Sequence, residues 1–259
     1  MLNLLTAERI KLLHSKKLWV VLAIFTALPI LQVINTNWNV SNGAKLVQAI
    51  DTVVNGATSI LMMEKNALTI LLIISAFISF FIGEEFQNGT VRNALSLGRS
   101  RIHYYLSKLI IAAVLSLIGV ITMTGLGMAG FSTVFGFGEI AHISDYTSFA
   151  IKSFSTLYLL ILANVSIYIL ITFLTKSTGI SLIWSFLYTM GTGFGAGIFQ
   201  QTEHFKELTF WFTESFLFYS DFAAPIDILK YPNMVLVSVI TIVVSSTVGI
   251  LLFKRTDIK

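Results

Sequence analysis

The chain has no cysteine and only three prolines in 259 residues. The first absence removes disulfides, thiolate metal sites and cysteine nucleophiles together. Charge is scarce as well: Asp, Glu, Lys and Arg make up 12% of the residues, where soluble domains carry about 25%. Two motifs are missing. There is no G-x-x-x-x-G-K-[ST], so the usual backbone cradle for nucleotide phosphates has no counterpart, and no H-E-x-x-H, the helical zinc pair. Between the apolar runs no segment exceeds about 35 residues, too short for an autonomous soluble domain.

What is present is hydrophobic: 55% of the residues, with a mean hydropathy of +0.82. Six runs, at roughly 18–34, 67–83, 105–131, 154–174, 180–199 and 234–253, are long enough to cross a bilayer. They predict an all-α polytopic membrane protein, with residues 1–259 forming one transmembrane domain of six helices. None carries a charged side chain in its middle. The spans are therefore expected to hold no proton or ion relay of their own, and any uphill work must draw its energy from elsewhere.

With the N-terminus inside, twelve of the seventeen Lys and Arg residues fall on inner segments and five on outer ones, while nine of the thirteen acids fall outside. The positive-inside bias puts both termini in the cytoplasm. The net charge of +4 and pI near 9.2 then follow from helix ends, and no nucleic-acid partner is implied. The four histidines (14, 103, 142 and 204) are split between the two sides, which argues against a shared metal site.

Residues 2–17 predict an interfacial amphipathic helix, with Leu2, Leu5, Leu12 and Leu13 on one face and Lys11 and His14 pointing away. Arg9 falls inside the apolar arc. A basic segment before an apolar run also resembles a signal peptide, but no A-x-A-like cleavage site follows closely. Pro29 is expected to kink the first span or begin an unwound exit. Residues 35–66 predict a loop and a short outer helix. Lys108 is expected to snorkel at the inner end of span three. The short loop 175–179 makes spans four and five antiparallel neighbours.

The inner segment 84–103 is the most informative polar stretch. It holds Glu84–Glu85, a turn at Asn88–Gly89, three arginines and the apolar residues Val91, Ala94, Leu95 and Leu97. Thr90 is positioned to cap a short helix through Leu97, Gly98 to end it and Ser100 to cap the next span. A half-apolar helix held along the inner surface suits a groove on a cytoplasmic partner; the alternative is an ordinary loop whose arginines face lipid headgroups.

In this stretch the chain resembles the permease subunits of ABC-2 type transporters, particularly small bacterial six-span members. The resemblance rests on Glu85–Phe86, Gly89–Thr90, Leu95–Ser96, Ser100–Arg101 and Ser107–Lys108 in that order, with the N-terminal helix and the tail Arg255, Asp257, Ile258, Lys259. It covers the layout of the whole chain but only about 25 residues of motif. Leu97–Gly98 stand where the family usually has a proline. The resemblance implies a subunit without an ATP site, paired with a second permease of the same or related kind. Two separate ABC ATPase subunits would hold the ATP and Mg. Glu84, Glu85, Phe86, Gly89, Thr90, Arg92, Arg99 and Arg101 would form the coupling contact with them. It further implies a bacterial cytoplasmic membrane, and export of an amphiphilic peptide, such as a bacteriocin, or another lipophilic compound.

Two outer features complete the sequence. Gly191, Gly193, Gly195 and Gly197 form two overlapping G-x-x-x-G spacings: either tight packing within the subunit, or a helix loosened into a candidate outer gate. The segment 200–233 is rich in aromatics, among them Phe205, Phe210, Trp211, Phe212, Phe216, Phe218, Tyr219 and Phe222. It reads as an aromatic belt, or as interfacial or re-entrant helices, with Phe210, Trp211, Phe212, Phe216 and Phe218 as a candidate exit surface. The interspersed acids Glu203, Glu207, Glu214, Asp221 and Asp227 would favour a cationic substrate.

Other functions compete. Glu84–Glu85 resembles the paired glutamates of an intramembrane metalloprotease family with an E-E-x-x-x-R pattern, but Gly89 stands at the arginine position. A secondary transporter would carry midplane ionisable groups and internal repeats. A membrane immunity or scaffold protein that transports nothing fits the same composition.

Overall fold

In the computed structural model, described over residues 2–42, 54–64, 66–140, 143–202, 204, 206–218 and 231–256, the chain is all-helical. The helices are α1 (Leu2–Leu13), α2 (Lys16–Ser41), α3 (Ser59–Glu64), α4 (Ala67–Gln87), α5 (Thr90–Ser96), α6 (Arg101–Phe135), α7 (Tyr146–Thr175), α8 (Thr178–Gln201), α9 (Thr213–Phe218) and α10 (Tyr231–Arg255), with a 3₁₀ turn at Lys206–Trp211. Six of them, α2, α4, α6, α7, α8 and α10, are long and apolar enough to span a membrane. They fall where the apolar runs placed them. An even number of spans puts α1, α5 and the end of α10 on one side of the body, called here the terminal face.

Burial separates the spans. The apolar windows of α4 and α7 are each 61% buried, whereas those of α2, α8 and α10 are 28%, 22% and 22% buried. α4 and α7 are thus the central pair, with α10 along α7, α2 along α6 and α8 against α4 and α7. Core positions recur at helical spacing on α7 (Leu157, Leu160, Ile161, Tyr168, Ile169), and α4 meets them with Ile70, Ile74, Phe77 and Ile78. Outward faces carry Trp19, Trp184, Phe194 and Val244, apolar side chains suited to lipid.

Three expectations change. Pro29 does not end the first span: α2 continues through it to Ser41, seven residues past the expected end at Ile34, and Pro29 is buried. A proline inside a helix removes one hydrogen bond, and tertiary packing outweighs that here. The outer segment does not simply skirt the body. Its 3₁₀ turn and α9 fold back against α7, α8 and α10. Finally, α8 is unbroken through all four glycines to Gln201. Asp145, placed in the outer loop, caps α7 by accepting from the Ser148 amide at 3.1 Å. The possible loop at 43–53, the aromatics Phe205, Tyr219 and Phe222, the acids Glu203, Asp221 and Asp227, His142, and the tail residues Asp257, Ile258 and Lys259 lie outside the described residues.

Candidate functional site

The segment 84–101 forms a hard-edged corner on the terminal face. α4 runs out at Gln87, and Gly89 turns the chain in the left-handed region at φ 69°. α5 follows from Thr90 to Ser96. Thr90 is its first residue and not its cap; Gly89 occupies the cap position and offers no side chain. At the far end the Gly98 amide donates to the Leu95 carbonyl at 3.0 Å and the Arg99 amide to the Ala94 carbonyl at 3.4 Å. This is the paired closure that a left-handed glycine gives a helix. Gly98 has φ 78°, which proline, locked near −65°, cannot adopt. The departure from the family's usual proline is therefore built into this turn.

Behind the corner lies a buried ion cluster. Lys108 Nζ, on α6, is 2.6 Å from Glu85 Oε1 of α4 and 2.6 Å from Glu8 Oε1 of α1. Lys11 of α1 pairs with the same Glu85 oxygen, and the Tyr104 hydroxyl donates to its other oxygen. Lys108 also lies 4.9 Å from the Phe81 ring centre, a cation–π distance. The two lysines balance the two glutamates, so the cluster is neutral as a whole. Lys108 and Glu85 are 1% and 2% exposed.

This overturns two expectations. Lys108 does not snorkel, because two carboxylates meet it inside the body. Lys11 does not point away, because α1 lies with Leu4 and Glu8 buried and turns Lys11 toward Glu85. Lys108, Glu85 and Glu8 leave water together, and an unpaired charge among them would be costly. A second pair, Lys17–Glu84, closes the rim. A cavity of about 140 Å³ remains between the α1–α2 turn and the α4–α5 turn, lined in part by Ser15, Asn88 and Thr90.

The cluster sorts the eight proposed coupling residues. Glu85 is buried. Phe86 is half-buried, edge-on to Phe173 at 5.3 Å and to Phe253 at 6.3 Å. Arg101 Nη1 lies 2.9, 2.8 and 2.7 Å from the carbonyl oxygens of Phe253, Lys254 and Thr256. It therefore satisfies carbonyls that the end of α10 leaves open. All three side chains are engaged within the chain, Glu85 wholly buried and Phe86 and Arg101 partly exposed. Thr90, Arg92 and Arg99 are exposed; Glu84 and Gly89 are intermediate. One exposed residue was not among the candidates: Leu97, 82% exposed at the tip of the corner. Its signal was its place in the apolar patch of the segment, beside a helix-ending glycine.

On the opposite side the candidate residues do not gather into one surface. Phe216 is 1% exposed; α9 tucks it into the body, so it cannot belong to an exit surface. Phe210 and Phe212 are half-buried, against Phe216 and Phe199 respectively. Trp211 is exposed, and the side chain of Phe218 lies outside the described set. Of the glycines, Gly193 is buried, while a side chain added at Gly191 or Gly195 would meet nothing within 4 Å. Those two positions are not packed within this subunit. Among the described residues no group of three His, Cys, Asp or Glu side chains is placed to hold a metal ion.

Six helices long and apolar enough to cross a membrane, a short N-terminal helix packed on α6 and a braced corner after the second span suit a membrane-embedded subunit. The chain belongs to the ABC-2 family: the family model described as ABC-2 family transporter protein matches residues 4–192. A comparison with curated proteins gave no match. The matched region takes in the ion cluster and the corner. It stops inside α8, so the outer segment and α10 lie beyond it.

Proposed function

We propose that this chain is the permease subunit of an ATP-driven exporter in a bacterial cytoplasmic membrane, with the terminal face in the cytoplasm. The observation that carries the coupling part of this reading is the corner. Leu97 stands clear of the body, exposed like Arg92 and Arg99, at the C-terminal cap of a seven-residue helix that follows α4, whose end is held to α6 by Glu85 and Lys108. An apolar tip flanked by arginines suits a groove with an acidic rim on an ATPase subunit. A rigid base lets a push on the tip reach α4 and α6 instead of dissipating in a loop. Two such ATPases, holding ATP and Mg, would drive a pair of permeases, and the outward path would open between them.

The apolar outward faces favour an amphiphilic cargo, with a peptide of that kind as the first choice. Gly191 and Gly195, open in the single chain, are read as part of the outer gate, and Trp211 as part of the exit surface. The experiment is co-purification with the ATPase subunit and vanadate-sensitive ATPase activity of the complex. Leu97→Asp, or Arg92→Glu with Arg99→Glu, should abolish both while the permease still folds. A complex that forms and hydrolyses ATP normally with either variant refutes the docking assignment.

A further inference from the structure

The spans themselves carry no charge at mid-depth, but the outer segment delivers one. Glu214 sits on α9, fully buried between α7 and α8. Its depth can be read from its neighbours. Asn164 Nδ2 donates to Thr213 Oγ1 at 3.1 Å, and Thr213 Oγ1 donates to Glu214 Oε2 at 3.0 Å. Asn164 lies about 27 Å along α7 from its first residue and about 17 Å from its last, at 1.5 Å per residue. From α8 the side chains acting on Glu214 are Tyr188 and Thr192, near the middle of that 24-residue helix. The carboxyl is therefore near the centre of the body's thickness.

Nothing described nearby balances it. Tyr168 of α7 and Tyr188 of α8 are the titratable groups facing Glu214. The spanning parts of α4 and α10 that meet α9 are uncharged, Glu207 of the 3₁₀ turn is exposed, and among the described residues no lysine, arginine or histidine acts on it. Glu214 Oε1 and Asn164 Oδ1 are both buried without a hydrogen-bond partner. An ionised carboxylate here would be an uncompensated charge beside an idle acceptor. One proton on Oε1 removes the charge and turns one of the two idle acceptors into a donor.

Hydroxyls lie between this position and the terminal face in separate hydrogen-bonded groups. On α8, Ser181, Ser185, Thr189 and Thr192 recur on one stripe, and all but Thr192 are fully buried. Tyr168 meets Thr189 at 2.6 Å, Thr172 meets Ser181 at 2.5 Å, and Ser79 of α4 meets Ser181 at 2.9 Å. Near the rim Thr178 donates to Gln87 at 3.3 Å. Ser185 Oγ, midway, has no partner. Each hydroxyl both donates and accepts, the property a proton path requires.

We infer that Glu214, with Asn164, is a proton-binding site at mid-membrane depth, held as the neutral acid and loaded from the terminal face through the α7–α8 hydroxyl row. None of the described cavities reaches Glu214, and a proton needs no cavity. The site is independent of the corner and of any ATPase.

Infrared spectroscopy of the full chain in lipid vesicles tests this. A neutral-acid carbonyl band is expected in the wild type at neutral pH, absent from Glu214→Gln, shifted in D₂O and unchanged when sodium is replaced by choline. Asn164→Leu, which keeps the acid, should move the same band, so the proposal does not depend on Glu214→Gln folding. Ser185→Ala with Thr189→Val should slow the deuterium shift about 100-fold or more, the scale of losing a positioned proton-transfer group, with band intensity retained. Loss of only carboxylate bands in Glu214→Gln, or a band that follows sodium, overturns the proton site. An unchanged exchange rate in the paired variant overturns the row as its route.

Discussion

The protein buries acids in two places and treats them in opposite ways. Glu85 at the terminal face is met by Lys108 and Lys11 and receives the Tyr104 hydroxyl. Glu214 at mid-depth meets only neutral partners, and one of its oxygens has no donor. The first arrangement fastens three helices together around the buried Lys108, which pairs with Glu85 and Glu8. The second keeps one acid with no countercharge among the described residues, held as the neutral acid. Burial alone therefore says little about what an acid does; its countercharge decides between a fastening and a titrating site.

The comparison breaks most visibly at Lys108. Lys108→Met leaves Glu8 unpaired and Glu85 with Lys11 alone, and should cost about 3–5 kcal/mol, as breaking a buried pair does. Thermal unfolding in detergent would register it, or the yield of folded protein would collapse. Glu85→Gln should cost less, about 1.5–3 kcal/mol, the range for hydrogen bonds to charged groups. Combined with Lys108→Met it should cost less than the sum of the two, by about 0.5–3 kcal/mol of coupling.

Glu214→Gln supplies the contrast. An amide in place of a neutral acid retains shape and hydrogen-bonding capacity, so the loss should stay near ~1 kcal/mol. A loss as large as that of Glu85→Gln would show that the two acids are held alike. The smallest effect is expected at Lys11, whose side chain is 44% exposed. Lys11→Gln should change global stability by about 0–1 kcal/mol. It should nonetheless quicken hydrogen exchange along α1, where local opening reports before global unfolding does.

Much of the frame was legible in the sequence. Six apolar runs gave six spans, because hydropathy over twenty residues depends on nothing outside the segment. The short helix after span two and its end at Gly98 were legible too, since turn chemistry is local. Lys108 and Lys11 were misplaced because their destinations depend on Glu8 and Glu85, which are distant in sequence and meet them only after α1 folds back. Glu214 escaped for a related reason: its depth is set by how α9 packs, and no hydropathy window contains that. The hydroxyl stripe at 181, 185 and 189 was visible as a four-residue repeat. Its partners, Tyr168 and Thr172 of α7, are brought to it only by packing.

Arg101 has a mechanical implication. A single guanidinium nitrogen gathers carbonyls from the end of α10 while its own residue opens α6, directly after the corner. The last helix of the chain is thereby tethered to the root of the third span, although some 150 residues separate them in sequence. Arg101 thus joins the root of α6 to α10, which in turn packs along α7. A single stitch of this kind lets a small displacement at the rim turn two distant helices in step.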